Sequence, residues 1–221
     1  MIPRSVNLFL LGFAVFAMLA GVTILVVQQW SPYRSFGVGG SFVMSDLEGR
    51  TVTDRDLLGR PTAIFFGFTF CPDVCPTTML SLTSAMKKMG TVADKLNVVF
   101  VSVDPERDTP EALKQYLAFF DPRIRALTGT PRQVANMASA YRAYVRRSET
   151  EDEGYTIDHE TSVMLFNSKG RIIGQIFHGE DENAFLAKLN TLAEPNVCRP
   201  GLPTTSNLWS SAGELAGGAC R

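Results

Sequence analysis

Residues 62–76 read TAIFFGFTFCPDVCP, and this stretch decides the fold of the 221-residue chain. Its first nine residues, 62–70, form a continuous apolar and aromatic run, which is typical of a strand buried on both faces. After the second cysteine, apolar side chains recur at helical spacing as far as about Met89. The stretch therefore predicts a buried strand, then a cysteine pair, and then a helix.

Cys71 and Cys75 lie at this predicted junction. The N-terminus of a helix carries unsatisfied N–H groups and a partial positive charge, which favour a thiolate over a thiol. If the segment is helical, side chains four residues apart share one face and can chelate one ion or close a disulfide. Three residues separate the cysteines here, whereas the common C-x-x-C redox motif has two. A metal site or a redox pair is favoured, and a structural disulfide or two buried thiols remain the alternative.

Strands and helices alternate along the rest of the chain. Polar caps followed by an early proline or an acidic first turn predict two helix starts, and an Asn-Ser-Lys-Gly turn predicts a hairpin. The predicted elements are an N-terminal hairpin (41–47 and 50–54), a second buried strand (97–103), helices from 108 and from 130 to 145, an exposed acidic loop (148–154), a hairpin (162–166 and 171–177) and a closing helix (180–192).

This order of elements is that of a thioredoxin-like α/β fold, with a central, mostly parallel or mixed sheet flanked by helices. The predicted domain covers residues 35–194. Residues 195–221 are rich in Gly, Ser and Pro without periodicity, which predicts a poorly ordered tail. In an oxidising compartment its Cys198 and Cys220 are expected to pair, with free or intermolecular thiols as the alternative.

Leu8–Val27 contains no charged residue over twenty positions, enough to span the roughly 30 Å of a bilayer core as a helix. Trp30 and Tyr33 follow, where interfacial aromatic residues are common. A cleaved signal peptide is the alternative, but its apolar region would be shorter. Residues 1–34 therefore predict a single-pass membrane anchor and tether, and Arg4 favours a cytoplasmic N-terminus.

The net charge of −1 gives no basic surface of the kind that binds nucleic acid, so that class of function is excluded.

His159 precedes a predicted strand at a position that this fold brings beside the cysteines, and Asp158 and Glu160 are candidates to orient its ring. Two thiolates and one imidazole suit Cu(I), whereas zinc usually has four protein ligands. A histidine with a purely structural role is the alternative.

Four blocks in this order resemble the Sco (SenC) family of copper chaperones: Cys71–Pro76, Val101–Glu111, Leu127–Thr130 and Asp158-His159. The similarity extends from about Val38 to Ala193 and includes the preceding anchor. It implies that Cys71, Cys75 and His159 bind one copper ion, as Cu(I) or Cu(II), for delivery to the binuclear centre of cytochrome c oxidase. The implied partners are the copper-bearing subunit of that oxidase and other periplasmic copper carriers. The implied location is the bacterial inner membrane, with the soluble domain facing the periplasm.

Two other functions are compatible with this fold. A thiol–disulfide oxidoreductase would use Cys71 and Cys75 as its redox pair, reduce the cysteine ligands of the oxidase centre and have no need of His159. A thiol peroxidase needs a cationic partner beside an activated cysteine, and no Arg or Lys adjoins the motif. A metallochaperone without turnover is expected, with the oxidoreductase as the alternative.

Overall fold

A computed structural model describes residues 37–150 and 154–194, together with Met18. Apart from Met18, the predicted anchor lies outside the described residues, as does the predicted tail with Cys198 and Cys220. None of the helices in the described part of the chain combines the length and the apolar character that a bilayer crossing requires.

The described residues form two 3-10 turns, nine strands and four α-helices. The strands are β1 (Val43–Ser45), β2 (Thr51–Thr53), β3 (Thr62–Gly67), β4 (Asn97–Ser102), β5 (Ile124–Leu127), β6 (Val145–Glu149), β7 (Tyr155–His159), β8 (Val163–Phe166) and β9 (Ile172–Ile176). The helices are α1 (Val74–Met89), α2 (Pro110–Leu117), α3 (Pro131–Tyr141) and α4 (Glu182–Ala193). The predicted hairpins β1–β2 and β8–β9 and the closing helix are confirmed.

The central sheet has five strands in the order β5-β4-β3-β8-β9. The pairs β3–β4 and β4–β5 are parallel, whereas β3–β8 and β8–β9 are antiparallel. The sheet is therefore mixed, which agrees with the prediction of a mostly parallel or mixed sheet. The tight turn at Asn167–Gly170 is the reason that β8 and β9 are antiparallel, because two strands joined by so short a turn must run in opposite directions.

The end of α3 was misread in the sequence, and three strands were missed. The helix predicted to reach Val145 ends at Tyr141, where Arg142 adopts a left-handed conformation with φ 53°. Val145 instead begins β6, which pairs with β7 in a separate two-stranded sheet. Part of the predicted acidic loop is therefore strand. The short strand β5 was not predicted either, since four residues carry little periodicity.

Strand β3 divides the core into two apolar layers, because successive side chains of a strand point to opposite faces. Phe65 packs in the layer that contains Met79 of α1 and Leu189 of α4. Phe66 packs in the layer that contains Met137 of α3. The strand ends at Gly67, earlier than predicted, and residues 68–73 turn the chain toward α1. This turn carries Cys71 at the carboxyl-terminal edge of the sheet.

Candidate metal centre

The loop that leads into α1 brings the sulfur of Cys71 to the N-terminus of the helix. Cys71 itself precedes the helix and so does not share a helical face with Cys75, contrary to the sequence expectation. Asp73 is the N-cap residue but makes no side-chain cap hydrogen bond. The Cys71 Sγ instead accepts the backbone N–H of Cys75 at 3.4 Å. A sulfur thus occupies the acceptor position that a capping oxygen usually fills.

Cys75 is fully buried in the first turn of α1, where it packs against the end of β3. A Cβ atom on Gly67 would lie 2.8 Å from the Cys75 Sγ and 2.8 Å from Cε2 of Phe100. Atoms cannot approach so closely without a shift of one of them. Glycine at position 67 is therefore what allows the sulfur to lie against the sheet.

His159 reaches the cysteines from the end of β7, 84 residues after Cys75. Its Nε2 lies 3.3 Å from the Cys75 Sγ, and its Nδ1 lies 2.7 Å from the carbonyl oxygen of Glu160. Because a carbonyl can only accept, Nδ1 carries the hydrogen and donates it. In the neutral imidazole the lone pair of Nε2 then faces the sulfurs, which is the arrangement that a metal ligand requires.

Two aromatic rings fix the orientation of the imidazole. Phe68 meets the ring of His159 at an interplanar angle of 90°, with the centroids 5.6 Å apart. Phe65 contacts it edge-on, with the centroids 6.1 Å apart. Since His159 is also buried, its ring has little freedom to turn away from the cysteines.

The donor atoms of Cys71, Cys75 and His159 all lie within 4.8 Å of one another. A first-row metal–thiolate bond is about 2.3 Å long, so two sulfur ligands of one ion are at most about 4.6 Å apart. The three donors are therefore close to the separation that a single ion needs. Two soft sulfurs and one imidazole suit copper, and the described residues contribute no fourth Cys, His or carboxylate donor to the cluster.

The two cysteines differ in protonation when the site is reduced and free of metal. A hydrogen bond from the Cys75 thiol lowers the pKa of Cys71 to about 3 against the opposing effect of burial, and His159 and backbone N–H groups add to the lowering. The same hydrogen bond, together with burial, raises the pKa of Cys75 far above its usual range. Cys71 is thus the thiolate, and Cys75 is the thiol that donates to it.

The net shift of the His159 pKa is upward. Burial lowers this pKa, but the hydrogen bond to Cys71 and the bond to the Glu160 carbonyl outweigh it. The Cys71 thiolate therefore stabilises the protonated form of the imidazole in the metal-free site. A cation that binds all three donors replaces the proton on Cys75, so metal binding releases protons.

The acidic neighbours of His159 do not orient its ring through their carboxylates. Asp158 is exposed and accepts a hydrogen bond from the Ser148 hydroxyl at 3.1 Å. The Glu160 carboxylate accepts the backbone N–H of Ser162, so only the main-chain carbonyl of Glu160 serves the imidazole. Of the two candidates, Glu160 therefore orients the ring through its main chain, whereas Asp158 does not, because successive residues of β7 point to opposite faces.

Sequence reasoning missed two residues beside the site. Arg107 places its guanidinium carbon 4.8 Å from the ring centroid of Phe70, next to Cys71, although it is distant from the motif in sequence. The carboxylate of Asp108 is buried and binds the backbone and hydroxyl of Thr69. Asp108 belongs to a predicted helix start and to the second block of the family resemblance, but the sequence gives no sign of a contact that spans 39 residues.

Comparison with known proteins places this chain among proteins of one family. Residues 32–194 match the family model SCO1/SenC. ScoI of Bradyrhizobium japonicum, solved with copper bound, is 41% identical with a TM-score of 0.66, covering 71% of this chain and 99% of that one. Yeast Sco1 with copper bound is 30% identical with a TM-score of 0.65, covering 75% and 92%.

Curated relatives give the same result. The human mitochondrial SCO1 homologue is 36% identical over 162 residues, 72% of this chain and 54% of that protein. SenC of Rhodobacter capsulatus is 36% identical over 132 residues, 60% of each. The matched region spans about half the length of the mitochondrial relatives from Arabidopsis thaliana and human.

The pKa of Cys71 predicts a flat pH profile for its alkylation in the reduced, metal-free protein. With a pKa of about 3, Cys71 is a thiolate throughout the range from about pH 5 to 8. An ordinary cysteine, with a pKa near 8.5, reacts about tenfold faster for each pH unit over the same range. Iodoacetamide labelling followed by peptide mass spectrometry measures both rates, with glutathione as the reference. A Cys71 rate that rises in parallel with that of glutathione would contradict the assignment.

Proposed function

This chain belongs to the SCO1/SenC family, and on that basis we propose that it binds one copper ion and delivers it to the binuclear copper centre of cytochrome c oxidase during assembly. The ligands are Cys71, Cys75 and His159, whose convergence within 4.8 Å is the observation that carries the proposal. Related proteins solved with copper bound support the choice of metal. The description of the Sco family as cytochrome c oxidase assembly proteins supports the choice of target.

The ligand set suits both oxidation states of copper. Thiolates are soft donors that favour Cu(I), and imidazole is a good ligand for Cu(II). Copper here is cargo that is bound and released without chemical turnover. Two of the ligands are buried and Cys71 is only half-buried, so Cys71 is the ligand that an incoming donor atom reaches first. Transfer by ligand exchange therefore begins at Cys71.

Thiol–disulfide exchange is the second candidate function. The observation in its favour is an accessible Cys71 thiolate beside a Cys75 thiol, since a thiolate is the species that attacks disulfides. Attack on a target disulfide forms a mixed disulfide, and Cys75 then displaces the target. The target is reduced to two thiols while this pair is oxidised to a disulfide. A Cys71–Cys75 disulfide cannot bind copper, so His159, which the exchange does not need, separates the two functions.

A titration of the reduced protein with copper tests the ligand set. One copper ion per chain is expected, and Cys71→Ser or Cys75→Ser should abolish tight binding, because one thiolate cannot chelate. His159→Ala should weaken Cu(II) binding by at least about 100-fold, since loss of even an indirect partner commonly costs 10- to 100-fold. His178→Ala is the matched control, because His178 is exposed and bonds only Thr78 among the described residues. Unchanged stoichiometry and affinity in Cys71→Ser would end the three-ligand proposal.

We further propose that residues 1–34 anchor the chain in the bacterial inner membrane, with residues 35–194 in the periplasm. The support is the uncharged stretch Leu8–Val27 and the outward-facing location of the oxidase copper centre. A tether raises the effective concentration of the domain near a membrane-bound partner, so a weak docking surface suffices.

Thiol labelling of spheroplasts tests this orientation. A membrane-impermeant reagent should modify reduced Cys71 in intact spheroplasts as completely as it does after permeabilisation, as judged on the peptide that contains Cys71. Removal of residues 1–30 should release the protein from the membrane fraction without loss of copper binding. Protection of a demonstrably reduced Cys71 would show that the opposite topology is correct.

Deletion of the gene tests the physiological target. At limiting copper, oxidase activity should fall because the binuclear centre lacks copper, while synthesis of the oxidase polypeptides continues. Added copper should restore activity if delivery dominates, whereas a thiol reductant should restore it if disulfide exchange dominates. A fully copper-loaded, active oxidase in the deletion strain would reject the target but not the metal site.

A further inference from the structure

Asp108 differs from the other buried aspartates of the described chain. Asp46, Asp104 and Asp121 each form an ion pair with an arginine, respectively Arg50, Arg107 and Arg123. Asp108 is 1% exposed and takes part in none of the ion pairs among the described residues. A buried carboxylate without a cation is costly unless hydrogen bonds satisfy it, so its hydrogen-bond partners require an explanation.

Those partners come from two segments that flank the candidate metal centre. The Asp108 oxygens lie 3.2 Å from the backbone N–H nitrogen of Thr69, and the Thr69 hydroxyl donates to Oδ1 at 2.6 Å. The hydroxyl of Ser102, at the end of β4, donates to Oδ2 at 2.7 Å. One carboxylate therefore joins the central sheet to the loop that carries Cys71.

The loop is held at both ends and by one buried side chain, that of Phe68. Gly67 is fixed by the β3–β4 ladder and Val74 by the start of α1, so residues 68–73 bridge two fixed points. Within the loop, the Cys71 N–H donates to the Phe68 carbonyl at 3.2 Å. This hydrogen bond closes a local turn but does not itself connect the turn to the sheet. The bonds from Thr69, two residues before Cys71, to Asp108 add a hydrogen-bonded connection between that turn and β4.

We propose that Asp108 is a positioning residue of the copper site, which holds the Cys71 sulfur in place for metal binding through its hydrogen bonds to Thr69. The proposal rests on the copper function proposed above. Cys75 is positioned by core packing and His159 by a carbonyl and two rings, and Asp108 supplies the corresponding support for Cys71. A site whose ligands are already in place avoids the ordering cost that binding would otherwise impose.

Substitutions at position 69 separate positioning from the effect of charge. Thr69→Val removes the hydroxyl donor but leaves the carboxylate in place, and Thr69→Ser restores the donor. Asp108→Asn leaves one acceptor oxygen and introduces an NH₂ group that cannot accept from Thr69 or Ser102. Asp121→Asn is the matched control, because Asp121 is equally buried and lies before β5, outside the candidate metal centre.

Two measurements on the full-length protein test the proposal. In the reduced, metal-free protein, hydrogen exchange at the Thr69 amide should be about tenfold faster or more in Asp108→Asn and unchanged in Asp121→Asn. Competition against a chromophoric Cu(I) chelator should show affinity lowered by about 10- to 100-fold in Asp108→Asn and Thr69→Val. Thr69→Ser should bind within about threefold of the unaltered protein, and Asp121→Asn should bind normally even if urea unfolds it more readily.

The outcomes distinguish the alternatives. Normal copper affinity in Thr69→Val and unchanged exchange at the Thr69 amide in Asp108→Asn, together with weak copper binding in Asp108→Asn, would mean that the charge of Asp108, and not positioning, supports the site, and would overturn the proposal. Equal losses in Asp121→Asn and Asp108→Asn would attribute the effect to general destabilisation and overturn it as well. Normal copper binding in Cys71→Ser would instead reject the proposed copper ligands. That result concerns the proposed function and is distinct from any result obtained with the position 69 variants.

Discussion

The packing of the Cys75 sulfur against Gly67 is the contact on which the rest of the site depends. The β3–β4 ladder fixes Gly67, so the sulfur cannot move without disturbing the centre of the sheet. The hydrogen bond to Cys71, together with burial, raises the pKa of Cys75 and keeps it protonated, and the thiol hydrogen of Cys75 stabilises the thiolate of Cys71. Two cysteines four residues apart thereby differ in protonation because of their mutual hydrogen bond and their unequal burial.

Each ligand is held by a different part of the fold, and each uses a different kind of interaction. The core fixes Cys75, and a main-chain carbonyl with two aromatic rings fixes His159. The Cys71 sulfur caps the first turn of α1, and its loop is tied to the sheet through Asp108. The metal-free site therefore already resembles a chelating arrangement, and little chain entropy remains to be lost when an ion binds.

Much of the fold could be predicted because the signals were local. Strands β3 and β4 are apolar on both faces, and Thr109 and Thr130 cap their helices immediately before a proline. The β6–β7 hairpin was missed because Val145–Glu149 is largely charged and exposed, so it shows no buried face. That hairpin delivers His159 to the cysteines, which is why spacing alone left its role open and the family resemblance was needed. Asp108 acts across the sheet, through a contact that no local pattern records.

In the proposed delivery of copper, holding the ion and releasing it place opposite demands on one site, and the uneven burial of the ligands is compatible with both. Cys75 and His159 lie in the core, where water and competing ligands have little access. Cys71 is half-buried, so a partner's ligand can approach the ion from that side alone. The same exposure lets Cys71 attack a disulfide, which explains how one pair of cysteines is suited to both copper transfer and thiol exchange. The presence of the His159 imidazole supports copper transfer over thiol–disulfide exchange as the function, because the imidazole contributes to metal binding and has no part in the exchange of sulfur bonds.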